Sequence, residues 1–241
     1  MDRQSDWPIY TLAPANFDAP NRTVVYLHGG AWVNEIALQH WKLAAQIAAE
    51  AQAQVIVPIY PLVPFATAAD VVPPIAELVA EKIAADHSVC LAGDSAGGQM
   101  ALSAALILRD EHRLVLPRTV LISPVLDVSL SNPLISAVRD PWLTRTGLLE
   151  FARRWCGDLP MADPIVSPLG ADLTGLGPLT VFSGTRDILN PDARLLAEKA
   201  TAAGVEVEYH EQPGLVHVYP LTPTREGRAA RDVIVERLRA N

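Results

Sequence analysis

The sequence has few cysteines, no cluster of basic residues and no long apolar run. Two cysteines in 241 residues are too few for the disulfide framework of a small secreted domain. The formal net charge is −8, and without concentrated Lys and Arg the chain lacks the positive surface that nucleic acids and anionic lipids attract. No apolar segment approaches the length that spans a bilayer, and Met1–Pro8 contains no apolar core of a secretory signal. We therefore expect a cytoplasmic protein that binds neither nucleic acid nor membrane.

Short apolar runs alternate with helical patterns along the chain. Half of the residues are hydrophobic and only 19% are charged, which excludes a disordered chain. The alternation predicts parallel βαβ units, and therefore one α/β domain with a mostly parallel central sheet and helices on both faces. The predicted strands are 23–27, 55–60, 87–92, 118–123, 179–183 and 205–211, and the predicted helices are 39–53, 68–85, 96–109, 191–203 and 222–240.

Prolines affect one predicted strand and one predicted helix. One long segment also interrupts the alternation of strands and helices. Pro58 predicts that the second strand is irregular or lies at an edge, and Pro73-Pro74 suits the start of a helix better than its interior. Residues 127–170 contain one predicted helix, 146–156, in place of a short crossover. We interpret this insertion as a cap or pocket wall at the carboxyl end of the sheet, against the alternative of a structural excursion.

The most informative motif is Gly93-Asp94-Ser95-Ala96-Gly97-Gly98. It follows the apolar run Val89–Ala92 and leads into a predicted helix, so Ser95 lies on a strand-to-helix turn. Small residues on both sides allow a sharp elbow that exposes the serine hydroxyl. Taken alone, the motif is equally typical of a glycine-rich turn. With the two segments described next, it predicts that Ser95 is a nucleophile.

A serine nucleophile needs a base to accept its proton. His217 lies in the loop after the last predicted strand, where it can reach back to Ser95 across the sheet end. His40 and His112 are interpreted as surface residues. Taken alone, His217 would be an ordinary loop histidine. Its position after the serine and an acid in the chain order reverses that interpretation and predicts that it is the base.

The acid that orients the histidine is predicted to be Asp187, which directly follows the fifth predicted strand. Asp192 is a second, less favoured choice, because it falls in the first turn of the next helix, where a carboxylate complements the helix dipole. Asp94 is adjacent to the nucleophile and cannot easily reach the far nitrogen of the histidine.

A glycine pair follows the first predicted strand, in His28-Gly29-Gly30-Ala31-Trp32. Glycines let backbone amides approach an anion closely. We therefore predict that the amides of Gly29 and Gly30, together with that of Ala96, form an oxyanion hole.

Taken together, these motifs resemble those of the α/β-hydrolases, in the hormone-sensitive-lipase-like branch of microbial esterases. The segment Asp163–Leu169 and the loop Gly214–His217 resemble the same branch, and the match extends from about Tyr26 to Tyr219. Two departures stand out. Ala31 occupies the position of the usual third glycine of the oxyanion loop. Only about two dozen residues precede that loop, so the cap is expected to be mostly the insertion at 127–170. The segment Tyr60–Phe65 departs from the usual pattern without an explanation.

The resemblance implies hydrolysis of short-chain carboxylic esters by Ser95, His217 and Asp187 through an acyl-enzyme, with a small-molecule ester as substrate. No metal or organic cofactor is expected. Two alternatives stay open: an amide hydrolase of the arylformamidase type, and a non-catalytic small-molecule receptor. Because related esterases often dimerise, a homodimer is a further expectation. Substrate contacts are predicted for Trp32, Trp142 and Leu143.

Overall fold

An eight-stranded sheet forms the centre of the molecule. The computed structural model describes residues 2–4, 7–14, 22–85 and 87–240. The strands are β1 (Asp2–Gln4), β2 (Trp7–Leu12), β3 (Arg22–Leu27), β4 (Gln54–Pro58), β5 (Ser88–Asp94), β6 (Thr119–Ile122), β7 (Leu179–Gly184) and β8 (Val207–Gln212). The helices are α1 (Leu38–Ala51), α2 (Ala68–Ala84), α3 (Ala96–Asp110), α4 (Arg145–Cys156), α5 (Asn190–Ala202) and α6 (Arg225–Arg239).

The sheet order is β1-β2-β4-β3-β5-β6-β7-β8. Strands β3 to β8 are parallel to one another, and β1 and β2 are antiparallel additions at one edge. Side chains alternate across the sheet, so Val25 and Leu27 face the core beneath α2, α3 and α5, whereas Val24 and Tyr26 face the core beneath α1 and α6. Both faces are therefore covered, which explains why the central strands are mostly apolar on both faces.

The six predicted strands and five predicted helices are confirmed, with ends that shift by at most three residues. The edge position inferred from Pro58 is wrong, because β4 pairs with β2 on one side and β3 on the other. Pro58 is tolerated as the last residue of the strand. The sequence did not predict β1 and β2, and their addition places β4 inside the sheet.

The expectation that Pro73-Pro74 opens a helix is also wrong. Helix α2 begins earlier, at Ala68, and holds both prolines in its second turn. The Asp70 carboxylate accepts a hydrogen bond from the Thr67 amide at 2.9 Å and caps the helix at this earlier point.

The insertion between β6 and β7 contains 3-10 turns at Pro133–Ala137 and Pro168–Gly170 on either side of α4. Leu148, Ala152 and Trp155 of α4 are buried in the same apolar cluster as α2 and α3. The insertion therefore shares the core of the sheet. None of the helices in the described ranges combines the length and the hydropathy needed to cross a bilayer.

Candidate active site

Ser95 lies between the end of β5 and the start of α3. Its backbone is left-handed, with φ of 52° and ψ of −116°, which is strained for a residue with a Cβ. Two hydrogen bonds, one to the last residue of the neighbouring strand β6 and one to the segment that follows it, hold this conformation. The Ser95 amide donates to the Ile122 carbonyl at 2.8 Å, and the Val125 amide donates to the Ser95 carbonyl at 3.1 Å. The strained turn directs the serine hydroxyl out at the carboxyl end of the sheet.

The hydroxyl meets an imidazole that is bound to a buried carboxylate. His217 Nε2 lies 2.9 Å from Ser95 Oγ, and His217 Nδ1 lies 2.9 Å from Asp187 Oδ2. Asp187 is completely buried, and its Oδ1 accepts the Leu189 amide at 2.9 Å. Because the carboxylate holds the proton on Nδ1, Nε2 presents a lone pair to the serine hydroxyl. The structure thus brings the three predicted residues together in one chain of hydrogen bonds.

Two loops carry the imidazole and the carboxylate, and they are bonded to each other. The Arg186 amide donates to the Leu215 carbonyl at 2.9 Å, which joins the loop after β7 to the loop after β8. The Val218 amide donates to Ser123 Oγ at 2.9 Å, which fixes the second loop to the end of β6. The alignment of these side chains therefore depends on three neighbouring parallel strands that all end at the same edge.

Surrounding carboxylates control the charge of His217. Burial by itself would lower its pKa, but the charge and hydrogen bond of Asp187, with smaller contributions from Asp140 and Asp94, hold the pKa above its usual value. The site therefore favours the imidazolium that forms when the base takes a proton.

Asp192, the second choice for the acid, is directed elsewhere. Its Oδ1 accepts the Asn132 side-chain amide at 2.8 Å. Burial raises the pKa of Asp192 to about 6, against the opposing hydrogen bond from Asn132. Asp187, and not Asp192, holds the histidine.

The predicted oxyanion loop lies beside Ser95, but one of its predicted donors is occupied. The Gly29 amide donates to Asp94 Oδ1 at 3.1 Å, so the prediction that Gly29 supplies an oxyanion donor is wrong. Among the described residues, the amides of Gly30, Ala31 and Ala96 meet no acceptor. Gly30 and Ala31 both have positive φ, 124° and 52°, so Ala31 adopts the left-handed backbone despite its Cβ. The available donors are therefore the amides of Gly30, Ala31 and Ala96.

A buried polar network beneath the loop went unrecognised in the sequence. His40, expected on the surface, is only 6% exposed, and its Nε2 lies 3.4 Å from Asp94 Oδ2. The Tyr26 hydroxyl donates to Asp94 Oδ1 at 2.6 Å. Burial would raise the pKa of Asp94, yet His40 and Tyr26 hold it below its usual value. The ionised carboxylate therefore anchors Gly29. Only the position of Asp94 next to the serine could have suggested this role.

The three residues predicted to contact substrate are in different surroundings. Trp32 is 1% exposed, donates from Nε1 to Gln99 Oε1 at 3.2 Å and stacks on Trp155, so it does not line an open pocket and the prediction is wrong. Trp142 is 57% exposed. Leu143 is partly buried against the core. Trp142 and Leu143 stay candidates for substrate contact.

Comparisons with known proteins show which family this chain belongs to. Residues 24–221 match the family model described as the alpha/beta hydrolase fold. A triacylglycerol lipase of Mycobacterium tuberculosis is 36% identical over 80% of this chain, which spans only 41% of that lipase. An acetyl-hydrolase of Streptomyces hygroscopicus is 33% identical over 92% of this chain and 76% of its own length. The crystal structure of an esterase from the bacterial hormone-sensitive lipase family superimposes with a TM-score of 0.85 at 29% identity, covering 100% of this chain and 86% of that one.

Proposed function

The chain belongs to the α/β-hydrolase fold family, in its hormone-sensitive-lipase-like branch, and on this basis we propose that it is a carboxylesterase-type serine hydrolase. The observation that carries the proposal is the pair of 2.9 Å contacts that place His217 between Ser95 and Asp187. The same arrangement argues against the receptor alternative, because the base is present and aligned with the nucleophile.

The reaction begins when Ser95 Oγ attacks the ester carbonyl carbon. As the new C–O bond forms, the hydroxyl proton passes to His217 Nε2, and the electrons of the carbonyl double bond move to its oxygen. Asp187 keeps the proton on Nδ1 and stabilises the imidazolium. Collapse of the tetrahedral intermediate breaks the bond to the alcohol, which leaves with the proton from Nε2. Water then attacks the acyl carbonyl carbon while its proton passes to His217 Nε2. The bond from that carbon to Ser95 Oγ breaks, Oγ takes the proton back from Nε2, and the carboxylic acid leaves.

The negative oxygen of the intermediate binds the amides of Gly30, Ala31 and Ala96. Preorganised donors of this kind are worth about 2.7–4 kcal/mol each in the transition state. Asp94 supports them indirectly, because it holds Gly29 and hence the start of the loop.

The acyl group of the substrate is proposed to be short, acetyl to butyryl. The acetyl-hydrolase that matches 92% of this chain supports a small acyl group. The triacylglycerol lipase is weaker evidence about the acyl group, because this chain spans under half of the length of that lipase. The cytoplasmic location and the homodimer stay predictions, to be tested by cell fractionation and sedimentation.

A serine-directed organophosphate and a series of p-nitrophenyl esters test the proposal. The wild type should release one equivalent of p-nitrophenol per chain from diethyl p-nitrophenyl phosphate. It should also hydrolyse acetyl and butyryl esters faster than decanoyl esters. Ser95→Ala should do neither while keeping its fold. Ser136→Ala, which changes an exposed serine of the insertion, is the matched control and should behave as the wild type.

Labelling and turnover that persist in Ser95→Ala would assign the nucleophile to another residue. An aryl formamide included in the same series tests the amide-hydrolase alternative. A kcat/KM for the formamide above that for every ester would replace the proposed substrate class.

A further inference from the structure

One carboxylate of the insertion bridges the exposed loop that carries Trp142 and the loop that carries the triad acid. Asp140 Oδ1 accepts the amides of Trp142 and Leu143 at 2.8 and 2.9 Å. Its Oδ2 accepts the Ile188 amide at 3.0 Å. Ile188 directly follows Asp187, so a single side chain joins a segment 48 residues away to the loop of the proposed acid.

The three hydrogen bonds end on one ionisable group, and each has an amide donor. Bonds from neutral donors to a carboxylate are stronger than bonds between neutral groups. The loop from Asp140 to Leu143 has no helical or strand hydrogen bonds of its own. Its conformation therefore depends on this carboxylate.

Asp140 also acts on the site through its charge. Three carboxylates raise the pKa of His217 against the effect of burial: Asp187 on the loop after β7, Asp140 on the insertion and Asp94 at the end of β5. Asp187 contacts the imidazole, and Asp94 is engaged by His40 and Tyr26. Asp140 is the member of this group that reaches the site from the insertion.

We propose that Asp140 is a positioning residue for ester hydrolysis. It fixes the Trp142–Leu143 segment against the acid loop and adds a negative charge that stabilises the imidazolium. The inference rests on the proposed function. It assigns the insertion an indirect role in catalysis, through the alignment of the loop that carries Asp187.

Three variants separate the two effects. Asp140→Asn removes the charge and puts an amide donor against the Ile188 or the loop amides. Asp140→Glu keeps the charge and displaces it. Asp158→Asn, an exposed acid after α4, is the matched control. For each variant we would measure kcat and KM for p-nitrophenyl butyrate against pH, and the melting temperature.

Removing the charge lowers the pKa of His217, and neutral His217 is the active form. The acid limb of kcat/KM should therefore move to lower pH in Asp140→Asn and stay near the wild-type position in Asp140→Glu. The plateau kcat should fall by roughly 10- to 100-fold in both, because the acid loop is displaced. Asp158→Asn should superimpose on the wild type.

A titration of His217 by NMR in the Ser95→Ala background makes the test independent of turnover. Failure of the proposed function would appear as an unlabelled, inactive wild type, whereas the histidine titration still reports on Asp140. The proposal is overturned if folded Asp140→Asn leaves either the histidine titration or the plateau kcat at the wild-type value. If Asp140→Asn does not fold, Asp140→Glu carries the test, and a wild-type kcat in that variant overturns the positioning role.

Discussion

Gly29→Ala is expected to disable the site by pushing the oxyanion loop away from the nucleophile. A Cβ at this position would lie 2.2 Å from Asp94 Oδ2, 2.9 Å from the Asp94 carbonyl oxygen and 3.0 Å from Ser95 Cβ. The first of these distances is more than 1 Å inside the 3.4 Å at which ordinary contact begins. The carboxylate cannot turn aside, because Tyr26 and His40 hold it. The loop must therefore move by about 1 Å.

A displacement of that size costs about 10²-fold in rate, and loss of one oxyanion donor costs about 10²- to 10³-fold. We expect kcat for p-nitrophenyl butyrate to fall within that range in Gly29→Ala. The overpacking should lower the free energy of unfolding by about 1–3 kcal/mol, which is roughly 2–12 °C in melting temperature for a chain of this size. Kinetics should therefore be measured well below the melting temperature, with circular dichroism on the same sample.

Gly170→Ala is the matched control, because its added Cβ would meet no atom closer than 4.0 Å. It should keep the wild-type kcat. The reasoning is refuted if Gly29→Ala is folded at the assay temperature and turns over within threefold of the wild type. That result would mean that the loop does not constrain the reacting atoms.

Two further predictions concern stability. Gln99→Leu removes the side-chain oxygen that accepts hydrogen bonds from two buried tryptophan N–H groups. Urea unfolding should therefore show a free energy of unfolding lower by about 2–6 kcal/mol. The control Gln39→Leu changes an exposed residue and should leave that free energy nearly unchanged. The hydrogen bond from Arg194, opposed by burial, lowers the pKa of Glu211 to about 2. Glu211→Gln should therefore lower the free energy of unfolding by about 1 kcal/mol above pH 5. The pKa of Glu211 is lower in the folded state than in the unfolded state. This contribution to stability is therefore lost as the pH falls from the unfolded-state pKa toward 2, and the unfolding curves of the wild type and the variant should converge near pH 2. A gap that persists at pH 2 would contradict the assignment.

Local patterns were sufficient for the elements that form the sheet. Residues 89–92 are apolar and residues 179–183 are mostly apolar, because both faces of these strands are covered. A pattern of that kind can be recognised without knowledge of the neighbouring strands. Strands β1 and β2 were not predicted. Their short edge segments have weak periodicity. They are strands because β2 pairs with the free edge of β4 and β1 pairs with β2.

The candidate site divides in the same way. Ser95, Asp187 and His217 could be selected because each follows a strand, and parallel strands bring their carboxyl ends to one edge. The errors at Gly29, His40 and Trp32 have another origin. Each was judged by its local segment, whereas its hydrogen-bond partner, Asp94 or Gln99, comes from residues 94–99.

The sequence was sufficient to predict the order of β3 to β8 with their helices, and to select the side chains that we propose as nucleophile, base and acid. These features depend on local periodicity and on which residue follows each strand. The tertiary structure alone decides which backbone amides stay free to bind an oxyanion, and that Asp140 reaches the acid loop. These properties depend on hydrogen bonds between segments far apart in the chain, and a donor already paired by folding cannot bind a ligand.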